Sequence, residues 1–405
     1  MRTMRPIRET IPVQEAKALL MEAAVPLERV ERVNIREASN RVLAVAAVAP
    51  ADVPPFDRAA MDGYAVIAED TFGADSGEAK LLRCVEQLFT GAVATRAISR
   101  GECIEIATGA PLPEGADAVV MVEETERADG KDVRVFTPVY PRQHVGRRGA
   151  DMTAGPTVLP AGTALNPSRI GALAAMGLAE VDVYARPLIA IISTGDEIVE
   201  PGQPLRPGQI YDVNRSTLSA IIDAHGGVPT AGASAGDSLP DLLHAIESSA
   251  SADVIIFSGG SSVGERDLMM DALQQAGEVI FHGIAVKPGK PTILGTVLGK
   301  PVIGMPGNPT SCLSNAYLFV VPMLRRMARL PEYVPHTIRV PLSRRIVSTT
   351  GRHQFYTVRV VGGAAEPAFK GSGEITSLAL ADGYIEIPAQ TDIVESGEMV
   401  HVKLF

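Results

Sequence analysis

The sequence predicts a multidomain α/β fold built on a central parallel sheet, and three observations predict it. Between Leu188 and Leu330, short apolar runs alternate with stretches whose apolar residues recur at helical spacing, the pattern of a parallel sheet with helices on both faces. Two of those runs, Val254-Ile255-Ile256-Phe257 and Val302-Ile303-Gly304-Met305, stop abruptly in glycine-rich sequence, as buried strands do. Beyond Leu330-Pro331 the pattern changes to short period-two runs, which mark a separate all-β domain.

Taken in order, Val13 to Ala24 carries apolar residues at helical spacing, and a second such segment runs from about Leu27 to Leu43 after Pro26. Around Ala44 the composition shifts, and Asp52-Val53-Pro54-Pro55-Phe56-Asp57 is extended because its prolines forbid helix. A β-rich lobe starts there, with strands expected at Met61–Val66, Cys103–Thr108 and Ala118–Glu123. Asn166 as N-cap, Pro167 in the first turn and Gly177 as a stop delimit another helix. In the α/β region, strands are expected at Leu188–Ile192 and Val228–Ala233, and helices at Ser216–Ala224 and Leu239–Ser249. The tail runs Thr337–Val340, Tyr356–Val360 and Met399–Leu404 fit a small β-barrel.

A chain of 405 residues is long enough for roughly two to four domains and a sizeable core. Its net charge of −10 argues against a nucleic-acid surface, since proteins that live on phosphate backbones carry a basic face. The cysteines Cys84, Cys103 and Cys312 are odd in number and widely spaced, which fits a reducing compartment, and none has metal-ligand spacing. The first residues lack an apolar signal core and no run approaches the roughly 20 apolar residues of a membrane span, so the expected location is the cytoplasm.

Chemistry is expected in the loops at strand ends, where ligands of open α/β sheets bind. The loop Ser258-Gly259-Gly260-Ser261-Ser262-Val263-Gly264-Glu265-Arg266-Asp267 lets backbone amides approach an anion and ends in carboxylates. Met305-Pro306-Gly307-Asn308-Pro309-Thr310 presents a helix N-terminus, with Asn308 placed to cap it. Lys287-Pro288-Gly289-Lys290-Pro291 holds two cations in a rigid turn. Each piece alone is ordinary: a Gly-Gly loop is usually punctuation and a charged turn is usually solvated. Three within sixty residues, each beside a buried strand, suggest a pocket for a phosphorylated anion. Asp62 beside Gly63, and Asp237 before a helix, each also have a plain reading as turn or N-cap residues. The arginines of Gly146-Arg147-Arg148-Gly149-Ala150-Asp151 are able to grip phosphate, or merely to face solvent.

Together with Ser193-Thr194-Gly195-Asp196-Glu197, Gln209-Ile210-Tyr211-Asp212-Val213-Asn214 and Pro55-Phe56-Asp57-Arg58-Ala59-Ala60-Met61-Asp62-Gly63-Tyr64-Ala65, these loops resemble the MoeA family over almost the whole chain, in the same order. Those proteins are molybdopterin molybdenumtransferases, similar also to the C-terminal domain of gephyrin. The resemblance implies a molybdopterin-binding α/β domain at 186–329 and a mixed helical and extended scaffold and dimerisation domain from 1–44 with 152–185. It further implies an inserted lobe at 45–151 and a C-terminal barrel at 330–405. It implies that Asp62, Asp151, Glu197, Asp237 and Asp267 are catalytic, with Asp62, Glu197 and Asp267 as Mg²⁺ ligands. It assigns substrate contacts to Thr108, Thr194, Gly195, Gly259, Gly260, Ser262, Gly264, Lys287, Lys290, Pro306, Gly307, Asn308 and Ser372. Two departures stand out: Ala150 replaces an acidic residue, though Asp151 follows, and Glu374-Ile375 replaces small residues after the Lys370-Gly371-Ser372-Gly373 loop.

The implied reaction is Mg²⁺-dependent insertion of molybdate into adenylylated molybdopterin with release of AMP, in a homodimer whose lobe completes the partner's site. Oxygen-only carboxylate ligands suit Mg²⁺, which commonly bridges carboxylates to phosphates. Molybdopterin adenylyltransferases and molybdoenzyme maturation proteins are the implied partners; no nucleic acid or membrane is expected. The alternatives are adenylylation of molybdopterin itself, which the lobe and tail disfavour, and a non-catalytic gephyrin-like scaffold, which the intact charged loops disfavour. Molybdate and tungstate are not distinguished.

Overall fold

The computed structural model describes residues 9–128, 130–231, 235–236, 238–259 and 268–405. Its centre is a six-stranded sheet in the order Val228–Ala231, Leu188–Ser193, Val254–Ser258, Lys300–Met305, Ile293–Val297 and Glu278–His282. The first four strands run parallel. Ile293–Val297 runs antiparallel to both of its neighbours, Lys300–Met305 and Glu278–His282, so the sheet is mixed where a parallel one was expected. The reason is local: Leu298 and Gly299 both have positive φ (51° and 75°) and join their strands in a two-residue turn, a connection only an antiparallel hairpin accepts.

Both faces of this sheet are covered, as the unbroken apolar runs require. Ile189, Ile191, Ile256 and Ile303 face one core with Leu218 and Ile222 of helix Val213–Ala224 and Phe319 and Leu324 from residues 316–327. Ala190, Ile192, Ile255, Phe257 and Val302 face the other, under Leu242 and Ile246 of helix Leu239–Ser248 and Met269 and Leu273 of helix Leu268–Ala276. The alternation along each strand is the period of two that puts successive side chains on opposite faces.

The N-terminal helix Val13–Ala23 packs into the first of these cores through Val13, Ala16 and Leu20, and the bridge Ile11 to Ile284 anchors its start. The helical spacing from Leu27 to Leu43 does not yield a helix. Val30–Asn34 is instead a strand paired antiparallel with Glu180–Tyr184, followed by the short 3-10 turn Ile35–Glu37. Strand pairing across 150 residues of chain overrides the local periodicity there. Helix Pro167–Ala175, capped by Asn166 Oδ1 accepting from Arg169 N at 3.0 Å, closes a small core with Leu43, Leu165 and Val183.

The lobe is a six-stranded sheet in the order Ala118–Met121, Gly63–Val66, Glu102–Ile106, Lys80–Leu88, Asp132–Val135 and Thr125–Arg127. It has cores on both sides, one around Tyr64 and Cys103 and the other around Ala65 and Ile104. In the tail, Thr337–Pro341, Met399–Leu404, Gly383–Ile387, His353–Val361 and Ala364–Pro367 form one curled sheet, which Val286–Lys287 extends by pairing with His353–Gln354. Its two ends are not paired as strands and meet at the isolated bridge Leu342 to Ala365, so the expected barrel is a half-barrel. Among the described residues no helix is long and apolar enough to cross a membrane.

Candidate active site

Three parallel strands deliver their ends to one place. Ser193 stands opposite Ser258, and Ser258 opposite Met305. The ladder continues one step further, with Thr194 N donating to Ser258 O at 3.1 Å and Gly259 N donating to Met305 O at 3.3 Å. Thr194, Gly259 and Pro306 therefore sit side by side where the strands stop. Gly259 has φ +101°, and a Cβ there would lie 2.7 Å from the Thr194 carbonyl oxygen, so no other residue fits. Around these ends lies a cleft of about 850 Å³, walled by Thr194, Gly195 and Glu197, by Asp212 and Asn214, and by Gly259, Pro306, Gly307, Asn308 and Gly373.

Asp212 and Asn214, inside a quoted motif but not singled out from the sequence, prove central. Asp212 caps helix Val213–Ala224 by accepting from Arg215 N at 2.9 Å, and its second oxygen accepts from Ser193 Oγ at 2.5 Å. An aspartate one residue before a helical run was the available signal. Asn214 Nδ2 donates to Gly307 O at 2.7 Å and pins the second loop. That bond fixes the amide, leaving Asn214 Oδ1 as an acceptor. Asn214 Oδ1 and Thr194 Oγ1 are both buried and have no hydrogen-bond partner among the described residues, although both residues line the cleft. Leaving such atoms unpaired costs about 1–3 kcal/mol each, which native structures rarely tolerate without a purpose.

Asn308 precedes its helix as expected but makes no capping bond with its side chain. Its Nδ2 donates instead to Ser372 Oγ at 3.1 Å, while Thr310 N donates to Ser372 O at 3.0 Å and Thr310 Oγ1 to Glu374 O at 2.8 Å. The tail thus supplies the cap that the sequence assigned to Asn308. It also brings Gly373, next to Ser372, into the cleft wall. Glu197 is exposed and folds back over Gly195, where a Cβ would lie 2.4 Å from its carboxylate.

The cationic turn lies alongside, with Pro291 in the cleft wall. Lys287 Nζ donates to Thr349 Oγ1 of the tail at 2.7 Å, so this turn ties the tail to the α/β domain. Gly260, Ser262, Gly264, Asp237 and Asp267 lie outside the described residues. Among the described residues no three Asp, Glu, His or Cys side chains converge on a metal position.

The lobe residues stand apart. Asp62 Oδ1 accepts from Thr108 N at 2.7 Å and Thr108 Oγ1 at 2.9 Å, and these bonds, the backbone one first, hold the Asp62 carboxyl below its ordinary range. Both residues are exposed and neither lines the cleft. In the basic turn, Arg148 Nε pairs with Asp52 at 2.6 Å and Arg148 N donates to Asp57 at 2.8 Å, so this arginine is already neutralised. Asp151 is exposed at the end of that turn.

Residues 11–177 match the family model for the MoeA N-terminal region (domain I and II), 190–326 a probable molybdopterin binding domain, and 339–405 the MoeA C-terminal region (domain IV). The chain is 37% identical to molybdopterin molybdenumtransferase 2 of Mycobacterium tuberculosis, over 98% of this chain and 99% of that one. It is 31% identical to the molybdopterin molybdenumtransferase of Haemophilus influenzae, over 98% of each. A crystal structure of the molybdopterin biosynthesis moeA protein from Pyrococcus horikoshii superposes with a TM-score of 0.82 at 39% identity, covering 98% of this chain and 99% of that one. Full-length identity of this order, with matching models from end to end, places the chain in the MoeA family.

Proposed function

We propose that this chain inserts molybdate into adenylylated molybdopterin, releasing AMP and yielding the molybdenum cofactor. The observation that carries the reading is the cleft at the ends of three parallel strands, within the segment matching a molybdopterin binding domain, with two buried polar atoms left for a ligand. Gly259, where a Cβ would clash with the Thr194 carbonyl, keeps the strand ends bare of side chains beside Gly307 in the cleft wall. Backbone left bare in this way lets phosphate oxygens approach closely. The lysines of the Lys287–Pro291 turn receive the oxyanion, and their charge offsets the negative charge gathered as molybdate meets the phosphorylated pterin. Catalysis on this reading is placement and electrostatics rather than covalent chemistry.

From the described residues, Glu197 is the cleft carboxylate available to Mg²⁺, and one protein carboxylate with substrate phosphates is an ordinary way to hold that ion. Mg²⁺ would supply charge neutralisation at the phosphate that leaves as AMP. Because Asp62, Thr108 and Asp151 lie off the cleft of their own chain, they serve on this reading in the cleft of a second copy, and the working unit is a homodimer.

A reconstituted assay tests this: purified protein, adenylylated molybdopterin, Mg²⁺ and molybdate, following AMP and cofactor. Molybdate-dependent AMP release is expected; tight pterin binding without turnover under molybdate or tungstate would make the protein a carrier instead. Mixing inactive Asp62→Ala and Glu197→Ala chains in equal amounts tests the shared site. Exchange of subunits in a symmetric dimer should restore about a quarter of wild-type activity, because about half the dimers are mixed and each has one intact site. No recovery would put both residues in one chain's site.

A further inference from the structure

We infer that Asn315 is a positioning residue, whose buried amide ties the Lys287–Pro291 turn to the helix behind the Met305–Thr310 loop and so sets the two cations against the phosphate seat. The inference rests on the proposed reading that this turn receives the oxyanion. Asn315 ends helix Pro309–Asn315 and is fully buried, as is Thr292 at 2% exposure. Asn315 Nδ2 donates to Gly289 O at 2.9 Å and to Thr292 Oγ1 at 2.7 Å, and Thr292 Oγ1 donates to the same Gly289 O at 3.0 Å. The triangle closes with each proton used once. Thr292 donates to Gly289 and so accepts from the amide nitrogen, an orientation that leaves Asn315 Oδ1 buried without a hydrogen-bond partner among the described residues.

The contact is also steric. Gly289 has φ +111°, and a Cβ there would lie 2.4 Å from both the nitrogen and the oxygen of the Asn315 amide. The amide therefore lies flat against the Gly289 Cα, next to Lys290 in the turn. The base of the turn is held separately, because the Lys290 carbonyl accepts from Ile284 N at 3.0 Å and Thr292 N at 2.9 Å. What Asn315 adds is a link from the turn to the helix whose first turn meets Ser372 and whose preceding loop walls the cleft. Asn315 itself does not line the cleft, so it acts on a ligand only through the turn.

The test compares Asn315→Ala, Asn315→Ser and the near-isosteric Thr292→Val with Lys290→Ala, all in the full chain. Three quantities are read: half-saturating molybdate in AMP release, equilibrium affinity for adenylylated molybdopterin without molybdate, and the thermal midpoint. Asn315→Ala is expected to raise half-saturating molybdate about tenfold and Thr292→Val about threefold, with pterin affinity changed by less than about twofold. Asn315→Ser, which keeps one donor, should recover part of the loss. Unchanged molybdate dependence in both Asn315→Ala and Thr292→Val, with Lys290→Ala raising it, would overturn the inference alone. An equal loss of pterin affinity would also overturn it, by showing a general structural role. If Lys290→Ala too leaves molybdate dependence unchanged, the oxyanion reading of the turn falls and the inference falls with it. Should Asn315→Ala fail to fold, Thr292→Val decides.

Discussion

The cleft and the lobe both carry residues expected to do chemistry, but they spend their polar groups in opposite ways. In the cleft, Thr194 Oγ1 and Asn214 Oδ1 are buried without partners among the described residues, and Gly259 keeps backbone within reach of whatever enters. In the lobe, Asp52, Asp57 and Asp62 are each satisfied by backbone amides and by a neighbouring arginine or hydroxyl. One region keeps hydrogen-bonding capacity in reserve; the other uses it to hold its own turns. The difference teaches where binding energy should reside. The cleft has most to gain from a ligand, while the lobe offers it an already ordered edge.

The comparison breaks most sharply at Gly259. Gly259→Ala forces a side chain into a left-handed backbone against the Thr194 carbonyl, a strain of about 1–3 kcal/mol that the cleft must relieve by moving. We expect AMP release to fall by about 100-fold or more, since displaced reacting groups lose most of their rate. Urea unfolding alongside the assay checks both. A variant with wild-type turnover would mean that the strand ends do not seat the substrate. Thr194→Val sharpens the contrast because its two effects have opposite sign. Removing an unpartnered buried hydroxyl should leave the free protein as stable or up to about 1 kcal/mol more stable. Affinity for the pterin should nevertheless drop about tenfold, the worth of one hydrogen bond to a ligand. Calorimetry in both states checks this; loss of stability with unchanged affinity would give the hydroxyl a structural partner instead.

Much of this was legible because strand ends announce themselves. The runs Val254–Phe257 and Val302–Met305 stop just before Gly259 and Gly307, which both line the cleft, and Gly259 leaves no room for a side chain. What escaped the sequence depends on partners far along the chain. Asn308 reads as a cap, yet Ser372, 64 residues away, meets both its side chain and the first helical amide nearby. The hairpin at Leu298-Gly299 was missed because leucine seldom takes a positive φ, so the turn lacks its usual residues. The segment from Leu27 to Leu43 carried a helical period, but its strand is defined by a partner at Glu180–Tyr184. Within the site, Asp212 was overlooked because a capping aspartate looks structural; only its bond to Ser193 Oγ shows that it also sets the floor of the cleft.

The smallest expected effect lies in the lobe and depends on pH. Asp57 is held below its ordinary range first by the Arg148 amide and then by Arg142, and Asp52 first by the Ala154 amide and then by Arg148. Their folded values thus lie below the unfolded one of about 3.9. Groups of that kind stabilise the fold above the unfolded value and lose that contribution as pH falls through the folded one. The lobe should therefore loosen in acid below about pH 4. Asp57→Asn should lower the lobe's resistance to amide exchange at pH 7 and make no difference once Asp57 is protonated. Because these carboxylates keep part of their surface in water, where solvent screens their pairs, the change should be modest, and it should leave exchange in the strands Leu188–Ser193 and Val254–Ser258 untouched. Equal loosening of lobe and cleft would show that the two regions are one cooperative unit, and that the lobe's self-sufficient bonds also brace the site.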